Sequence, residues 1–195
     1  MSRERESADA ACDRLDEIIA SAPPAVVQTY DWSSARFDPL TVEIAFCPSA
    51  VLPPRPLITS VRAVVFSRRD VLVITDGKGE RYVCPGGHRD AVETLEETVR
   101  RELLEESGWH VGDLRRLGFM VLTTTSPRPA GFPYPYPRAL WQIYLTEALR
   151  YDAAAHTGDP DVVDAEFVAI ERARGLSMDR LQRGLLEHAL EARSR

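Results

Sequence analysis

The stretch from Gly87 to Trp109 constrains this chain more than any other. A glycine pair, Gly86-Gly87, ends a run of strand-forming residues. Glu93 follows, and then the sequence Arg101-Glu102-Leu103-Leu104-Glu105-Glu106-Ser107-Gly108-Trp109. Thr94 is suited to cap a helix, Glu97 three residues later completes a capping box, and Gly108 stands where a helix-ending glycine belongs. A helix running from Thr94 to Glu106 is therefore expected. At about 100° per residue, Glu102, Glu105 and Glu106 fall within roughly 100° of arc. Leu95, Val99 and Leu103 recur at a spacing of four and form an apolar stripe beside the acids, which would seat the helix on a sheet.

Three like charges so close together repel, and no folding argument asks for them. A cation between them removes the conflict, and carboxylate oxygens are the hard ligands that Mg2+ or Mn2+ takes. Arg101 can reach Glu105 one turn away and steady it. Gly86 and Gly87 allow a close backbone approach, and a free carbonyl there could complete a coordination sphere. The competing reading is a solvated helix laced by the pairs Glu96–Arg100 and Glu97–Arg101. The flanking glycines and Glu93 tip the balance, because so many identities at fixed offsets coincide by chance less than about once in a million.

This pattern resembles the Nudix box, the signature of hydrolases that act on a nucleoside diphosphate linked to another moiety. The match covers Gly87 to Trp109; only Trp109 departs, standing where the family usually has an aliphatic residue. The resemblance implies an α+β fold, an α/β/α sandwich with a mixed β-sheet flanked by helices. It implies a divalent cation, Mg2+ or Mn2+, held by Glu102, Glu105, Glu106 and the Gly86 carbonyl. Arg101 would orient the acids, and Glu93 would be a secondary acid linked to the metal site. The family's water-activating base varies: it would be Glu102 or an acid from a later loop. Glu166 is taken first among Glu147, Asp161, Asp164 and Glu166.

The rest of the chain is read more coarsely. Ala8–Ser21 is expected as a short amphipathic helix stopped by Pro23-Pro24. A proline-dense stretch to Pro56 holds one strand, Leu40–Phe46. Residues 1–56 thus read as an extension packed on a core domain, 57–195. Strands are expected at Ile58–Phe66, Val71–Thr75, Arg81–Cys84, Arg116–Thr125, Ala139–Thr146 and Ala165–Ile170, with a turn at Asp76-Gly77-Lys78-Gly79. A closing helix, Met178–Ala192, puts Leu181, Leu185, Ala189 and Leu190 on one face.

Composition bounds the function. A net charge of -6 argues against binding a nucleic-acid polymer. No stretch approaches the roughly 20 apolar residues of a membrane span. Cys12, Cys47 and Cys84 show no paired spacing, so they read as free thiols in a reducing cytoplasm. The expected partner is a small nucleotide or diphosphate substrate, and a homodimer is left open. His88, just after the glycines, is a candidate phosphate contact. The loop 126–137 offers Arg128, Tyr134 and Tyr136, with Trp141 just beyond, as candidate substrate contacts, since aromatics stack on bases and arginines grip phosphates. Two alternatives stand beside a hydrolase. One is a nucleotide-sensing module, which should have lost box carboxylates that this chain keeps. The other is an isoprenoid diphosphate isomerase, for which Cys84 would need to act on carbon.

Overall fold

The computed structural model describes residues 2–34, 37–90, 92–156 and 162–195. Helix α1 (Ser2–Ser21) leads into a hairpin of β1 (Val26–Ser34) and β2 (Phe37–Pro48). Strands β3 (Ile58–Ser67), β4 (Asp70–Asp76), β5 (Arg81–Tyr82) and β6 (Gly86–His88) precede α2 (Leu95–Ser107). Then come β7 (Trp109–Val111), β8 (Arg115–Thr124), β9 (Arg138–Tyr151), β10 (Val162–Ala169), α3 (Ile170–Arg174) and α4 (Arg180–Arg193).

The main sheet runs β1-β2-β8-β9-β3-β4-β10, and it is mixed: β3 and β9 pair in parallel, the other neighbours antiparallel. Strand β3 explains why helices cover both faces. Val61, Ala63 and Val65 are buried with Leu95, Val99 and Leu103 of α2 and Leu15 of α1. Val64 and Phe66, on the alternate face, are buried with Leu181, Leu185 and Ala189 of α4. A strand apolar on both faces belongs in the middle of a sandwich. The expected α/β/α arrangement is the one observed.

The amino-terminal part differs from its sequence reading. The helix starts at Ser2 rather than Ala8. Val26–Ser34 forms a strand that the surrounding prolines had hidden. Strand β2 bonds β8 from Val42–Thr124 to Pro48–Gly118, so the hairpin lengthens the core sheet itself. Two further additions are β7 and the extension of β9 to Tyr151, which pair with each other. Trp109 is accommodated there, with ring centroids 5.4 Å from Tyr151 and 5.2 Å from Phe167.

The ends of α2 form as the capping chemistry requires. Thr94 Oγ1 accepts from the Glu97 amide at 3.1 Å, the Glu97 carboxylate accepts from the Thr94 amide at 2.8 Å, and Gly108 closes the helix at φ 72°. Thr94→Ala should cost about 1 kcal/mol, read as a fall of roughly 2–4 °C in Tm in a thermal melt. An unchanged Tm would show that packing alone holds this end.

Candidate active site

Helix α2 and the edge strand β6 meet acid to glycine. Gly86 sits at φ +132°, and a Cβ there would come 2.3 Å from the Val61 carbonyl oxygen, so only glycine fits. Pro85 and Arg89 take the ladder bonds to β3, through Ala63 N–H to Pro85 O and Arg89 N–H to Thr59 O, both at 3.0 Å. In such alternation Gly86 falls at a pair that exchanges no ladder bonds, so its polar groups lie off β3. Its N–H donates to Glu106 Oε2 at 2.8 Å. At Gly87 a Cβ would stand 2.2 Å from the Glu102 carboxylate, so this acid rests directly on the backbone. The Gly87 carbonyl accepts from Ser60 Oγ at 2.6 Å, which anchors the turn.

Arg101 gathers the remaining acids. Its Nη1 donates to Glu102 at 2.9 Å and to Glu105 at 3.1 Å, so two carboxylates converge on one nitrogen. Its Nε and Nη2 grip both oxygens of Glu93 at 2.9 and 3.1 Å. The Arg101 hydrogen bond holds the Glu93 carboxyl below its usual range, and the same pairing raises the guanidinium's own pKa. The side chain of Glu102 is 14% exposed and that of Glu105 41%, while Glu106 as a residue is 8% exposed. This is not the solvated, self-paired helix of the competing reading. Arg100 instead donates to the carbonyls of Val111 and Gly112 at 2.6 and 2.8 Å, and Glu97 serves the cap. Among the described residues no three acidic, histidine or cysteine side chains already stand at ligand spacing, because Arg101 and the Gly86 amide hold them.

The other face of β6 carries different chemistry. Antiparallel pairing sets His88 opposite Ser60, and parallel pairing sets Trp141 beside Ser60 from the far side. All three therefore project from the face away from α2. Tyr134 reaches His88, with its Oη 2.9 Å from Nε2 and the rings stacked at 5.4 Å. Burial, and then the nearby Arg62 charge, lower the His88 pKa. Two loop candidates are used internally. Arg128 donates to the Phe132 carbonyl at 3.2 Å, and the Tyr136 hydroxyl donates to the Ser126 carbonyl at 2.9 Å. The structure thus groups His88, Tyr134 and Trp141 and commits Arg128 and Tyr136 to shaping the loop.

Of the acids taken as loop bases, the described ones, Glu147, Asp164 and Glu166, do not join the cluster. Glu166 lies within β10, paired with β4, and is exposed. Its neighbours Ala165 and Phe167 pack on the α2 side, so alternation turns Glu166 the other way. Glu147 is tied to Arg193 at 2.8 Å, Asp164 accepts from the Ala165 amide at 2.9 Å, and Asp161 lies outside the described residues. The sequence reading did not single out Arg62 or Trp32, which the structure sets against Trp141, the first 4.3 Å from its ring centroid and the second edge-on at 6.2 Å. An arginine inside the apolar run Ile58–Phe66 was a usable signal; Trp32 lay in a stretch not recognised as a strand.

Residues 56–188 match the family model of the NUDIX domain. The fold is similar to a NUDIX hydrolase from Nitrosomonas europaea, with 20% identity and a TM-score of 0.55 over 71% of this chain and 90% of that one. It is similar to a pyrophosphohydrolase from Bacillus subtilis, with 17% identity and a TM-score of 0.56 over 84% and 97% of the two chains. A NUDIX domain from Shewanella oneidensis complexed with ADP-ribose gives 20% identity and a TM-score of 0.54 over 70% and 87%. No curated protein matches. At these identities the structural likeness speaks for the fold, while the family match spans well over half the chain and contains β6, α2 and every acid of the cluster. The chain therefore belongs to the Nudix family of hydrolases.

Proposed function

We propose that this chain hydrolyses a phosphoanhydride bond in a nucleoside diphosphate linked to another moiety, or in a nucleoside triphosphate, with Mg2+ or Mn2+. The observation that carries the reading is the convergence of Glu102 and Glu105 on one cationic nitrogen beside a glycine backbone, with Glu106 locked to that backbone. A donor set of carboxylates with one carbonyl suits a hard divalent cation. Arg101 already shows that the cluster accepts positive charge at this point. Glu102, Glu105, Glu106 and the Gly86 carbonyl would hold the ion. Bound there, it would supply charge neutralisation for the diphosphate and acidify a coordinated water.

The chain's own residues do the rest. Glu93 keeps Arg101 anchored by two hydrogen bonds, so the arginine can release Glu102 and Glu105 without leaving the site. Gly87 lets the Glu102 carboxylate lie against the backbone, and Glu102 would take the proton from an attacking water. Positioning of this kind carries most of the catalysis in phosphoryl transfer. His88, Tyr134 and Trp141 would hold the group beyond the diphosphate, and Arg128 and Tyr136 would shape the loop that presents Tyr134. The isomerase alternative loses support. Cys84 is fully buried in the core beneath α4, and burial pushes its thiol up to about 12. Among the described residues no helix is long and apolar enough to cross a membrane. The three cysteines are free thiols. A cytoplasmic location is part of the proposal.

The test is a panel of nucleotides, dinucleoside polyphosphates and nucleotide sugars, ADP-ribose among them, incubated with Mg2+ and assayed for released phosphates. Turnover of at least one is expected; binding without cleavage across the panel would favour a sensing module. Trp141→Ala and Tyr134→Ala should each raise KM for the best substrate by about tenfold, more than they lower kcat, since stacking of a base is worth about 1–3 kcal/mol. Steady-state kinetics that match the parent would remove both rings from binding.

A further inference from the structure

Arg62 stands apart from the Arg101 network that gathers the acids of α2. It projects from the middle of β3 between Val61 and Ala63, both fully buried, on the face away from α2. Its guanidinium lies 4.3 Å from the centroid of the Trp141 ring, and its Nη1 donates to the Cys84 carbonyl at 3.3 Å. Its Nε is buried with no hydrogen-bond partner, and among the described residues no carboxylate pairs with it. Cations set into a protein normally find a counter-charge or a full set of acceptors. This one is held over an indole, and its Nε is left without an acceptor.

Rings surround it. Trp32, 49% exposed, meets Trp141 edge-on at 6.2 Å. Across Ser60, His88 stacks with Tyr134, and Phe132 meets Tyr134 edge-on at 5.4 Å. Trp32 comes from β1, outside the segment 56–188 that the family model matches. Only the backbone of β6 separates this cradle from the acids on the α2 side, and among the described residues β6 pairs with no strand but β3, so a ligand would pass from one face to the other at its outer edge, where the Gly86 N–H meets Glu106.

We propose that Arg62, Trp141, Trp32 and the His88–Tyr134 pair form the subsite for the nucleoside end of the substrate. The base would stack among the rings, and Arg62 would donate to its edge acceptors. The amino-terminal hairpin thereby becomes part of substrate selection. A base fits better than a bare phosphate. The cation sits among rings that a base can stack against while its edge acceptors take the guanidinium's donors, and phosphate makes no use of the rings. The placement of the diphosphate rests on the hydrolase reading; the subsite can be tested without it.

The experiment is binding in EDTA, followed by tryptophan fluorescence in a Trp109→Phe background, so that only Trp32 and Trp141 report. Adenosine monophosphate should quench the signal, and ribose 5-phosphate should not and should bind at least about tenfold more weakly. Arg62→Gln should weaken the mononucleotide by about tenfold and Trp32→Ala by about fivefold, with Arg62→Lys between Arg62→Gln and the parent. Circular dichroism melts establish that each variant folds, and Trp32 is exposed enough that its variant serves if Arg62→Gln does not. Ribose 5-phosphate binding as tightly as the mononucleotide, or parent-like affinity in both Arg62→Gln and Trp32→Ala, would overturn the proposal. If those affinities behave as expected but the panel with Mg2+ yields no product, the hydrolase reading fails and the subsite stands. Turnover with unaltered nucleotide affinity in the variants has the reverse meaning.

Discussion

Glu105→Gln is expected to lower Mg2+-dependent turnover by about 10²–10⁴ while leaving the fold intact. The substitution exchanges a carboxylate for an amide of the same size, so the charge that a divalent cation needs is lost without opening a hole. Glu105 is the cleanest of the three acids for this purpose, because its side chain is the one held only partly out of solvent and lies off the glycine backbone. Glu102 presses on Gly87, and Glu106 bonds the Gly86 amide. Loss of the Glu105 contact to Arg101 costs little structurally, since two bonds to Glu93 and one to Glu102 remain. The measurement is kcat at saturating Mg2+ beside a thermal melt. Parent-like turnover in a folded variant would take Glu105 out of the site.

Gly86→Ala should be the most damaging substitution to the fold at this site. The backbone stands at φ +132°, and the new Cβ would lie 2.3 Å from the Val61 oxygen and 2.7 Å from the Arg62 Cα. Both obstacles are main chain, so no rotamer relieves them. Strain of this type costs about 1–3 kcal/mol, and displacing β6 from β3 adds the loss of the Glu106 hydrogen bond to the Gly86 amide. A total of about 3 kcal/mol or more corresponds to a drop of roughly 10 °C in Tm. Gly87→Ala is the informative contrast. Its Cβ would strike the Glu102 carboxylate, the far end of a flexible side chain. That variant should keep most of its stability and lose turnover instead. A Gly86→Ala melt within about 2 °C of the parent would show that β6 is not held where it lies.

The box was legible because each of its features acts locally. Thr94 and Glu97 satisfy the amides of their own helix, Gly108 ends it, and the spacing of Glu102, Glu105 and Glu106 places them on one face whatever the helix packs against. The strands from Ile58 to Thr75 were legible because runs of β-branched residues favour the extended backbone. The acids outside the box were not. Glu166 stands in a strand whose two faces differ only by what covers them, and that depends on α2 and α4, elements distant in sequence. Val26–Ser34 was read through the prolines around it, Pro23-Pro24 and Pro39, yet it became a strand because it pairs with β2, which is itself bonded to β8.

The amino-acid sequence by itself determined the acidic helix, its caps, its glycine turn and the family to which they belong, since short-range backbone sterics and helical periodicity need no partner. The tertiary structure alone decided which rings and charges share a surface. Arg62, Trp141, Trp32 and His88 come from four separate strands, and only the pairing of those strands, paid for by burying apolar residues on both faces of the sheet, brings them to one place.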